Sequence, residues 1–403
     1  MELLTAVNPN VDIQKIQAAI AASGADAWLF YDHHHRDPLA AQILSLPMDD
    51  LVSRRWYYVI PAQGEPQKLV HKIESGKLDS LPGKKHTYAA WQQLEQHLRV
   101  MLAPYTRLAM QYSPRNAIMY VSMVDAGTVE LLREFGKTIV SSADLVSQFQ
   151  AVLTEQQIAS HFVAQQAIDE ILAAGFAEIG RRSAIQEHFT EYDMVLWLED
   201  AMRRAGLVWE HRPNVSVNAN SADSHYEPSA ENSRPIRTGD FLLIDIWARQ
   251  DPARAGFETC FYDITWTAVI GREPTEEEVR VFTTVRDARD AAIRAVEEAF
   301  AAGRPIQGWE ADDRARAVIT GAGYGDYFTH RTGHNISSTL HGSGAHLDNL
   351  ETHDERRLLP NTCFSVEPGI YLEHFGVRSE VNMITSATEA RVTGKIQQQL
   401  LRI

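Results

Sequence analysis

Four carboxylates placed in or beside apolar, strand-like segments limit the folds that this 403-residue chain can adopt. Asp245 lies within 241–247 and Asp263 within 259–270, which read as the two strands of one hairpin. A symmetric register about residue 254 predicts that the two Asp residues lie opposite each other. Like charges at opposed positions destabilise a sheet, and apolar neighbours solvate ions poorly. We therefore expect a cation between the carboxylates or a protonated carboxyl; the alternative is another register, with each Asp facing solvent.

A second pair of carboxylates, Glu367 and Glu380, follows thirteen residues apart along the chain. Both stand within or beside apolar strand residues, and the pattern predicts a second hairpin. The dipeptide Pro368-Gly369 comes directly after Glu367 and predicts a bend that directs its side chain.

Four histidines lie between the Asp pair and the Glu pair, namely His330, His334, His341 and His346. An isolated histidine is commonly a satisfied polar residue with no catalytic role. Four carboxylates together with an imidazole, however, suit a pair of hard or borderline divalent cations. Two-metal sites of this kind generate hydroxide at neutral pH and stabilise the charge that develops during hydrolysis.

These motifs resemble metallopeptidase family M24, whose dinuclear enzymes have the pita-bread fold and include methionine aminopeptidase, Xaa-Pro aminopeptidase and prolidase, with creatinase as a metal-free relative. The resemblance rests on Leu243-Ile-Asp245-Ile246, Asp263-Ile-Thr265-Trp-Thr267, Gly333-His334 with His341 seven residues later, Glu367-Pro-Gly-Ile-Tyr371 and Val377-Arg378-Ser-Glu380. It covers roughly residues 151–403. Residues 1–150 resemble, more weakly, the N-terminal domain of the creatinase and prolidase branch.

The resemblance implies two divalent metal ions per chain, with Mn²⁺ expected and Co²⁺ or Zn²⁺ as alternatives. Asp245 would bind one ion, Asp263 and Glu380 would bridge both, and His334 and Glu367 would complete the shell of the second. A hydroxide between the ions would attack the scissile carbonyl, with Glu367 as the candidate general base.

The resemblance also implies catalytic and substrate-binding side chains around the metal ligands. His341 would stabilise the tetrahedral intermediate or pass a proton to the leaving nitrogen. His225 matches the family's substrate-contacting histidine, the alternative being an ordinary loop histidine. Tyr371 and Arg378 match positions beside the ligands in members that cleave Xaa-Pro bonds. Arg378 could pair with a substrate carboxylate, the alternative being a purely structural ion pair.

The sequence departs from the family pattern around the first hairpin, so we expect a divergent member. Residues 249–256 lengthen the tip, and Asp251 within them is an alternative to Asp245 as the first ligand. The apolar neighbours at 242–246 favour Asp245. Three further positions carry residues unusual for the family, Trp247, Trp266 and Ser337.

Charge and patterning divide the chain at about residue 150 and give an α+β fold class. Residues 1–150 carry 14 basic and 15 acidic side chains and read as a small α/β unit. Residues 151–403 carry 24 basic and 38 acidic side chains, and long helices are followed by hairpins. We expect an N-terminal creatinase-like domain and a catalytic pita-bread domain.

The net charge of −15 argues against binding nucleic acid through its phosphates, and against docking on an anionic membrane. There is no run of about 18 apolar residues and no signal-peptide pattern at the start of the given sequence. Two cysteines favour a reduced chain over a disulfide framework. We expect a cytoplasmic homodimer that acts on small peptides.

The run Asp32-His-His-His-Arg-Asp37 is a local feature with two readings. It is either a solvated loop or adventitious metal-binding tract, or a segment that gates the active site of a partner subunit.

The predicted function is hydrolysis of Xaa-Pro peptide bonds. A dipeptidase is favoured over an aminopeptidase, because an N-terminal domain of about 150 residues leaves little extra wall for an extended peptide. The alternatives are a creatinase-like C–N hydrolase or lyase acting on a small non-peptide substrate, and a non-catalytic binding protein on the same fold.

Overall fold

A computed structural model describes residues 11–403. The chain divides into two compact units, with the boundary between Gln150 and Ala151.

Within residues 11–150, a mixed sheet has the strand order β4-β3-β2-β1-β5-β6. Its strands are β1 (Ala27–Asp32), β2 (Trp56–Pro61), β3 (Gln67–His71), β4 (Lys84–Tyr88), β5 (Arg107–Met110) and β6 (Thr138–Ser141). The helices of this unit are α1 (Ile13–Ser23), α2 (Pro38–Ile43), α3 (Trp91–Leu102), α4 (Ala126–Glu134) and α5 (Ala143–Gln150). β2 and β3 form the predicted antiparallel hairpin, and β1, β5 and β6 run parallel. Strand β4 was not predicted because its residues are mainly polar and only Tyr88 is buried.

The second unit begins with two long helices, as predicted. Its helices are α6 (Glu155–Ala184), α7 (Glu191–Arg204), the short α8 (Pro252–Ala255), α9 (Glu276–Ala301) and α10 (Gly308–Gly321). Thr154 and Thr275 cap α6 and α9, and each forms a reciprocal capping box with the side chain three residues later. Among residues 11–403, no helix is both long and apolar enough to cross a membrane.

The strands of the second unit form three sheets. They are β7 (Leu207–Val208), β8 (Asn214–Val217), β9 (Phe241–Gln250), β10 (Tyr262–Val269), β11 (Asn335–Ile336), β12 (Cys363–Val366), β13 (Gly369–Tyr371), β14 (Gly376–Arg378), β15 (Val381–Thr385), β16 (Ala390–Thr393) and β17 (Leu401–Arg402). One sheet has the order β17-β10-β9-β7 with β8 also paired to β9, another has β11-β12-β15-β16, and β13 pairs with β14.

The predicted register of the first hairpin is wrong by two residues. Asp245 on β9 lies opposite Thr265 on β10, and Asp263 lies opposite Trp247. The ladder is therefore centred on residue 255, because the inserted tip folds into the helical turn α8 instead of a symmetric loop. Alternate residues of a strand share a face, so Asp245 and Asp263 still point to the same side of the sheet.

The second hairpin is interrupted. Val366 pairs with Val381, and Gly369 pairs with Arg378, so residues 367–368 and 379–380 leave the ladder at the same level. Pro368 has no N–H to donate to a ladder. The freed N–H of Glu380 donates to the Thr265 carbonyl (3.2 Å), and that of Glu367 donates to the Thr332 carbonyl (2.7 Å). The interruption therefore joins the second hairpin to the first.

Candidate metal centre

Three of the five predicted ligands form a compact buried group. Donor atoms of Asp263, His334 and Glu380 all lie within 4.8 Å of one another. Asp263 is 4 % exposed, His334 3 % and Glu380 1 %. They come from β10, from the residue preceding β11 and from the interruption before β15, so the group depends on the junction of the two hairpins.

Glu367 joins this group through His334 and a serine. His334 Nε2 lies 3.3 Å from Glu367 Oε1 and 3.6 Å from Asp263 Oδ2. The Ser365 hydroxyl accepts a hydrogen bond from the His334 backbone N–H (2.9 Å) and donates to Glu367 Oε1 (3.0 Å). Ser365 thus fixes the imidazole and the carboxylate relative to each other.

Asp245 joins the group through Thr265 and Arg378. Thr265 Oγ1 lies 2.8 Å from both Asp245 Oδ1 and Glu380 Oε2, and it accepts a hydrogen bond from Arg378 Nε at 3.1 Å. Arg378 Nη2 forms an ion pair with Asp245 Oδ2. All five predicted ligands therefore converge on one site. Asp251 does not join them, because it caps α8 instead.

The electrostatics of the group call for positive charge. Asp263 Oδ1 and Glu380 Oε1 are buried and have no hydrogen-bond partner among the described residues. Burial raises the pKa of both carboxyl groups; Asp245 adds to the shift at Asp263, and Asp263 adds to that at Glu380. Burial also raises the pKa of Glu367. Buried carboxylates without a partner are costly.

Divalent cations would supply the missing partners. Carboxylate oxygens with one imidazole nitrogen form a donor set suited to Mn²⁺, Co²⁺ or Zn²⁺. The arrangement of the five side chains therefore fits the metal ions that the sequence resemblance implies.

His341 lies at the open edge of this group. Its ring centroid is 4.2 Å from that of His334, with the two planes at 89°. Repulsion from His334, the largest effect, and burial lower the pKa of His341 to about 3, so the imidazole is neutral at physiological pH. The charges of His225 and His211 contribute to the same shift, which places both histidines near His341. No motif in the sequence identifies His211 as a site residue.

Tyr371 and Arg378 form a hydrogen-bonded chain with His330. His330 Nδ1 lies 2.7 Å from the Arg331 carbonyl and therefore carries the proton. His330 Nε2 then accepts from the Tyr371 hydroxyl (2.7 Å), which in turn accepts from Arg378 Nη1 (3.1 Å). Burial, with a smaller effect of Arg378, lowers the pKa of His330 to about 3. The structural ion pair considered for Arg378 is thus present, and His330 has an orienting role that the sequence did not reveal.

The remaining histidine of the predicted set has a structural position. His346 is fully buried, and its Nδ1 accepts the backbone N–H of Asn335, the residue after the candidate ligand His334. This contact gives His346 a structural role beside the candidate ligand.

A buried arginine supports the interruption in the second hairpin. Arg289 on α9 is fully buried; its Nη1 donates to Ser379 Oγ (2.6 Å) and to the Gln397 carbonyl (2.9 Å). Ser379 lies between Arg378 and Glu380, so this contact fixes the backbone that carries both side chains. A lone Arg in a helix gave no sequence signal for this role.

Comparison with known proteins agrees with this geometry. Residues 164–387, more than half of the chain, match the model of metallopeptidase family M24. An Xaa-Pro dipeptidase of Lactobacillus delbrueckii subsp. lactis is 29% identical over 241 residues, which cover 59% of this chain and 58% of that protein. A putative Xaa-Pro aminopeptidase of Mycoplasma pneumoniae is 27% identical over 226 residues, covering 56% and 58%. The match thus spans under two thirds of these relatives.

Solved structures resemble the chain over nearly its full length. Dipeptidase PepE from Mycobacterium ulcerans has a TM-score of 0.65 at 21% identity, covering 97% of this chain and 96% of that one. A recombinant prolidase from Thermococcus sibiricus has a TM-score of 0.60 at 20% identity, covering 97% and 98%. The fold is the α+β pita-bread fold with a smaller α/β N-terminal domain. The match over residues 164–387 and the motifs gathered in one site show that the chain belongs to metallopeptidase family M24, and its inserted hairpin tip makes it a divergent member.

Proposed function

We propose that this protein is a dinuclear metallopeptidase that cleaves Xaa-Pro peptide bonds, with a dipeptidase favoured over an aminopeptidase. The observation that carries the proposal is a buried group of Asp263, His334 and Glu380, joined by Glu367 and Asp245, in which two carboxylate oxygens have no hydrogen-bond partner among residues 11–403. Relatives named Xaa-Pro dipeptidase support the substrate class.

The metal ions would be held as the motifs suggest. Asp245 would bind one ion, Asp263 and Glu380 would bridge two, and His334 with Glu367 would hold the second. Mn²⁺ is the expected ion, with Co²⁺ and Zn²⁺ as alternatives. When bound, the ions supply a hydroxide nucleophile at neutral pH and stabilise negative charge on the scissile carbonyl oxygen.

Proton transfer would fall to Glu367 and His341. Burial raises the pKa of Glu367, which brings that carboxyl closer to the range in which it can take up and release a proton. His341 is neutral and exposed beside His334, so its ring can donate a hydrogen bond to an oxyanion or pass a proton to the leaving nitrogen.

Substrate contacts would come from the exposed side of the site. His225 is exposed near His341, where it can contact a small peptide. Arg378 already donates from Nε to Thr265, from Nη2 to Asp245 and from Nη1 to Tyr371 and the Ser224 carbonyl, so a substrate carboxylate would have to share a guanidinium whose three nitrogens all have partners. Arg378 and Tyr371 would therefore act chiefly by orienting Asp245.

Activity on defined peptides tests the proposal. Chelator-treated protein reconstituted with Mn²⁺ should hydrolyse Xaa-Pro, and comparison with Xaa-Pro-Yaa peptides separates dipeptidase from aminopeptidase. Asp263→Asn should abolish the activity. Asp251→Asn removes a carboxylate from the same hairpin outside the site and should leave activity intact. Absence of hydrolysis of every Xaa-Pro peptide after metal loading would refute the proposal.

The homodimer and the cytoplasmic location stay predictions, which the mass in solution and cell fractionation would test.

A further inference from the structure

A second cluster of metal-binding side chains lies outside the carboxylate site. His161 is on α6, Cys260 lies two residues before β10, and Cys363 is the first residue of β12. Their donor atoms all lie within 4.8 Å of one another, and each residue is fully buried. Both cysteines are free thiols. None of the three belongs to the candidate metal centre.

The distances in this cluster approach those around a tetrahedral ion. Cys363 Sγ lies 3.9 Å from His161 Nδ1. A tetrahedral zinc ion with ordinary Zn–S and Zn–N bonds holds sulfur and nitrogen roughly 3.6 Å apart. The Phe261 carbonyl oxygen lies 3.6 Å from Cys260 Sγ and accepts a hydrogen bond from His161 Nδ1 at 2.6 Å, so Nδ1 carries the ring proton. Two sulfurs, one nitrogen and one oxygen thus lie close together, and an ion among them would replace the proton on Nδ1 and move that nitrogen away from the carbonyl oxygen.

The far side of the imidazole has the partner that a metal-binding histidine needs. His161 Nε2 lies 2.9 Å from Thr393 Oγ1, whose hydroxyl can donate to the Asn382 carbonyl at 3.5 Å. In the tautomer with the proton on Nδ1, Nε2 accepts from the Thr393 hydroxyl; when an ion binds Nδ1, the ring proton moves to Nε2, from which Thr393 can accept it. Ligating histidines are typically oriented by such a contact on the other nitrogen.

Charge and surroundings select the type of ion. Two thiolates and one divalent cation are neutral together, which limits the cost of burying them. Thiolate sulfur favours Zn²⁺ over Mg²⁺, Ca²⁺ or Mn²⁺. Although burial opposes ionisation, hydrogen bonds with Cys363 and His161 lower the pKa of Cys260 to about 6. Burial and the hydrogen bond with Cys260 instead raise the pKa of Cys363, so the second thiol would ionise only as the ion binds. Apart from Thr393, the buried side chains packed with the two cysteines are mainly apolar and include Leu153, Phe261, Ile336, Leu340 and Ile384. Such a closed setting is typical of structural metal sites.

We propose that His161, Cys260 and Cys363, with the Phe261 carbonyl as fourth ligand, form a closed structural site for Zn²⁺, separate from the carboxylate centre. Binding releases the two thiol protons to solvent and forms two S–Zn bonds, with no change in oxidation state. The ion would join α6 to the strands β10 and β12 that lead to Asp263 and Glu367.

A spectroscopic signal from metal–sulfur bonds tests this site alone, because the proposed ligands of the carboxylate centre include no sulfur. Full-length protein, stripped of metal under reducing conditions, is loaded with Cd²⁺ both in the folded state and during refolding. We expect a thiolate-to-cadmium charge-transfer band of one equivalent per chain. The band should be lost in Cys260→Ser and Cys363→Ser and kept in Asp263→Asn. Absence of the band by both loading routes would overturn the proposal, even if peptidase activity is present.

A measurement on the wild-type chain tests the site without depending on whether the cysteine variants fold. Zinc K-edge X-ray absorption of protein loaded with one equivalent of Zn²⁺ should show two sulfur scatterers at about 2.3 Å. A shell of oxygen and nitrogen alone would contradict the proposal. So would the absence of titratable thiols in denatured, unreduced protein, since this would show a Cys260–Cys363 disulfide.

Discussion

The two hairpins that supply the carboxylates place them in different ways. In β9–β10 the ladder is continuous, and the side chains of Asp245 and Asp263 reach the site from one face of a regular sheet. In the second hairpin the ladder breaks between Val366 and Gly369, and the Glu residues lie in the break. The first hairpin needs only the correct register. The second needs other elements to fix its backbone.

This difference shows where each half of the site is vulnerable. Changes on the continuous hairpin should act through single side-chain contacts. Apart from the Glu side chains themselves, changes at the break should act through backbone support, which comes from the Thr265 and Thr332 carbonyls and from Arg289.

The largest effect is expected for Glu380→Ala. Its carboxylate lies within 4.8 Å of both Asp263 and His334 donor atoms and would bridge both ions. Metal analysis should show loss of both ions, and the fall in kcat/KM should exceed about 100-fold, the upper range for residues that only orient ligands. Retention of two ions by the variant would refute the bridging role.

The second largest effect is expected for Thr265→Val on the continuous hairpin. The substitution keeps the shape but removes the hydroxyl between Asp245 and Glu380, so we expect metal affinity to fall about 10- to 100-fold. Thr267→Val is the matched control, because that buried hydroxyl has no hydrogen-bond partner among residues 11–403. Calorimetric titration with Mn²⁺ compares the two variants, and equal affinities would contradict the role of Thr265.

A smaller effect is expected for Ser379→Ala at the break. The variant removes the hydroxyl that Arg289 holds, while Arg289 keeps Asp290 and the Gln397 carbonyl as partners. Metal affinity should fall by about tenfold, near the lower end of the effect of outer residues on metal binding. A change in thermal stability with unaltered metal affinity would show that Ser379 serves packing alone.

The smallest effect is expected at the inserted tip. Gly256 ends α8 with φ of 79°, and a Cβ there would meet no atom within 4 Å. Gly256→Ala should therefore cost about 1 kcal/mol of unfolding free energy through backbone strain alone, with metal binding unchanged. Gly321→Ala, equally open but without a positive φ, is the control for urea unfolding. Loss of metal by Gly256→Ala would show that the tip shapes the site.

Much of the site could be predicted from sequence because its ligands sit in short motifs with fixed local structure. The fold class and the capped helices α6 and α9 were also predictable, since apolar periodicity and Thr caps are local signals. The register of β9–β10 was not, because a four-residue helical turn inside the tip shifts the centre of the ladder.

The supporting residues carried no local signal. Arg289 contacts a residue 90 positions away in the sequence, Ser365 one 31 positions away and His330 one 41 positions away. Only the folded chain brings these partners together. Residues that orient a ligand are therefore harder to predict than the ligands, because their role depends on tertiary contacts.

Anomalous diffraction from crystals grown with Mn²⁺ would locate the metal ions relative to the five candidate ligands. We expect two anomalous peaks where the hairpins meet, one bound by Asp245 and one by His334 and Glu367, with Asp263 and Glu380 contacting both. A single peak, or peaks elsewhere in the chain, would contradict the assignment of these five residues as a dinuclear metal centre.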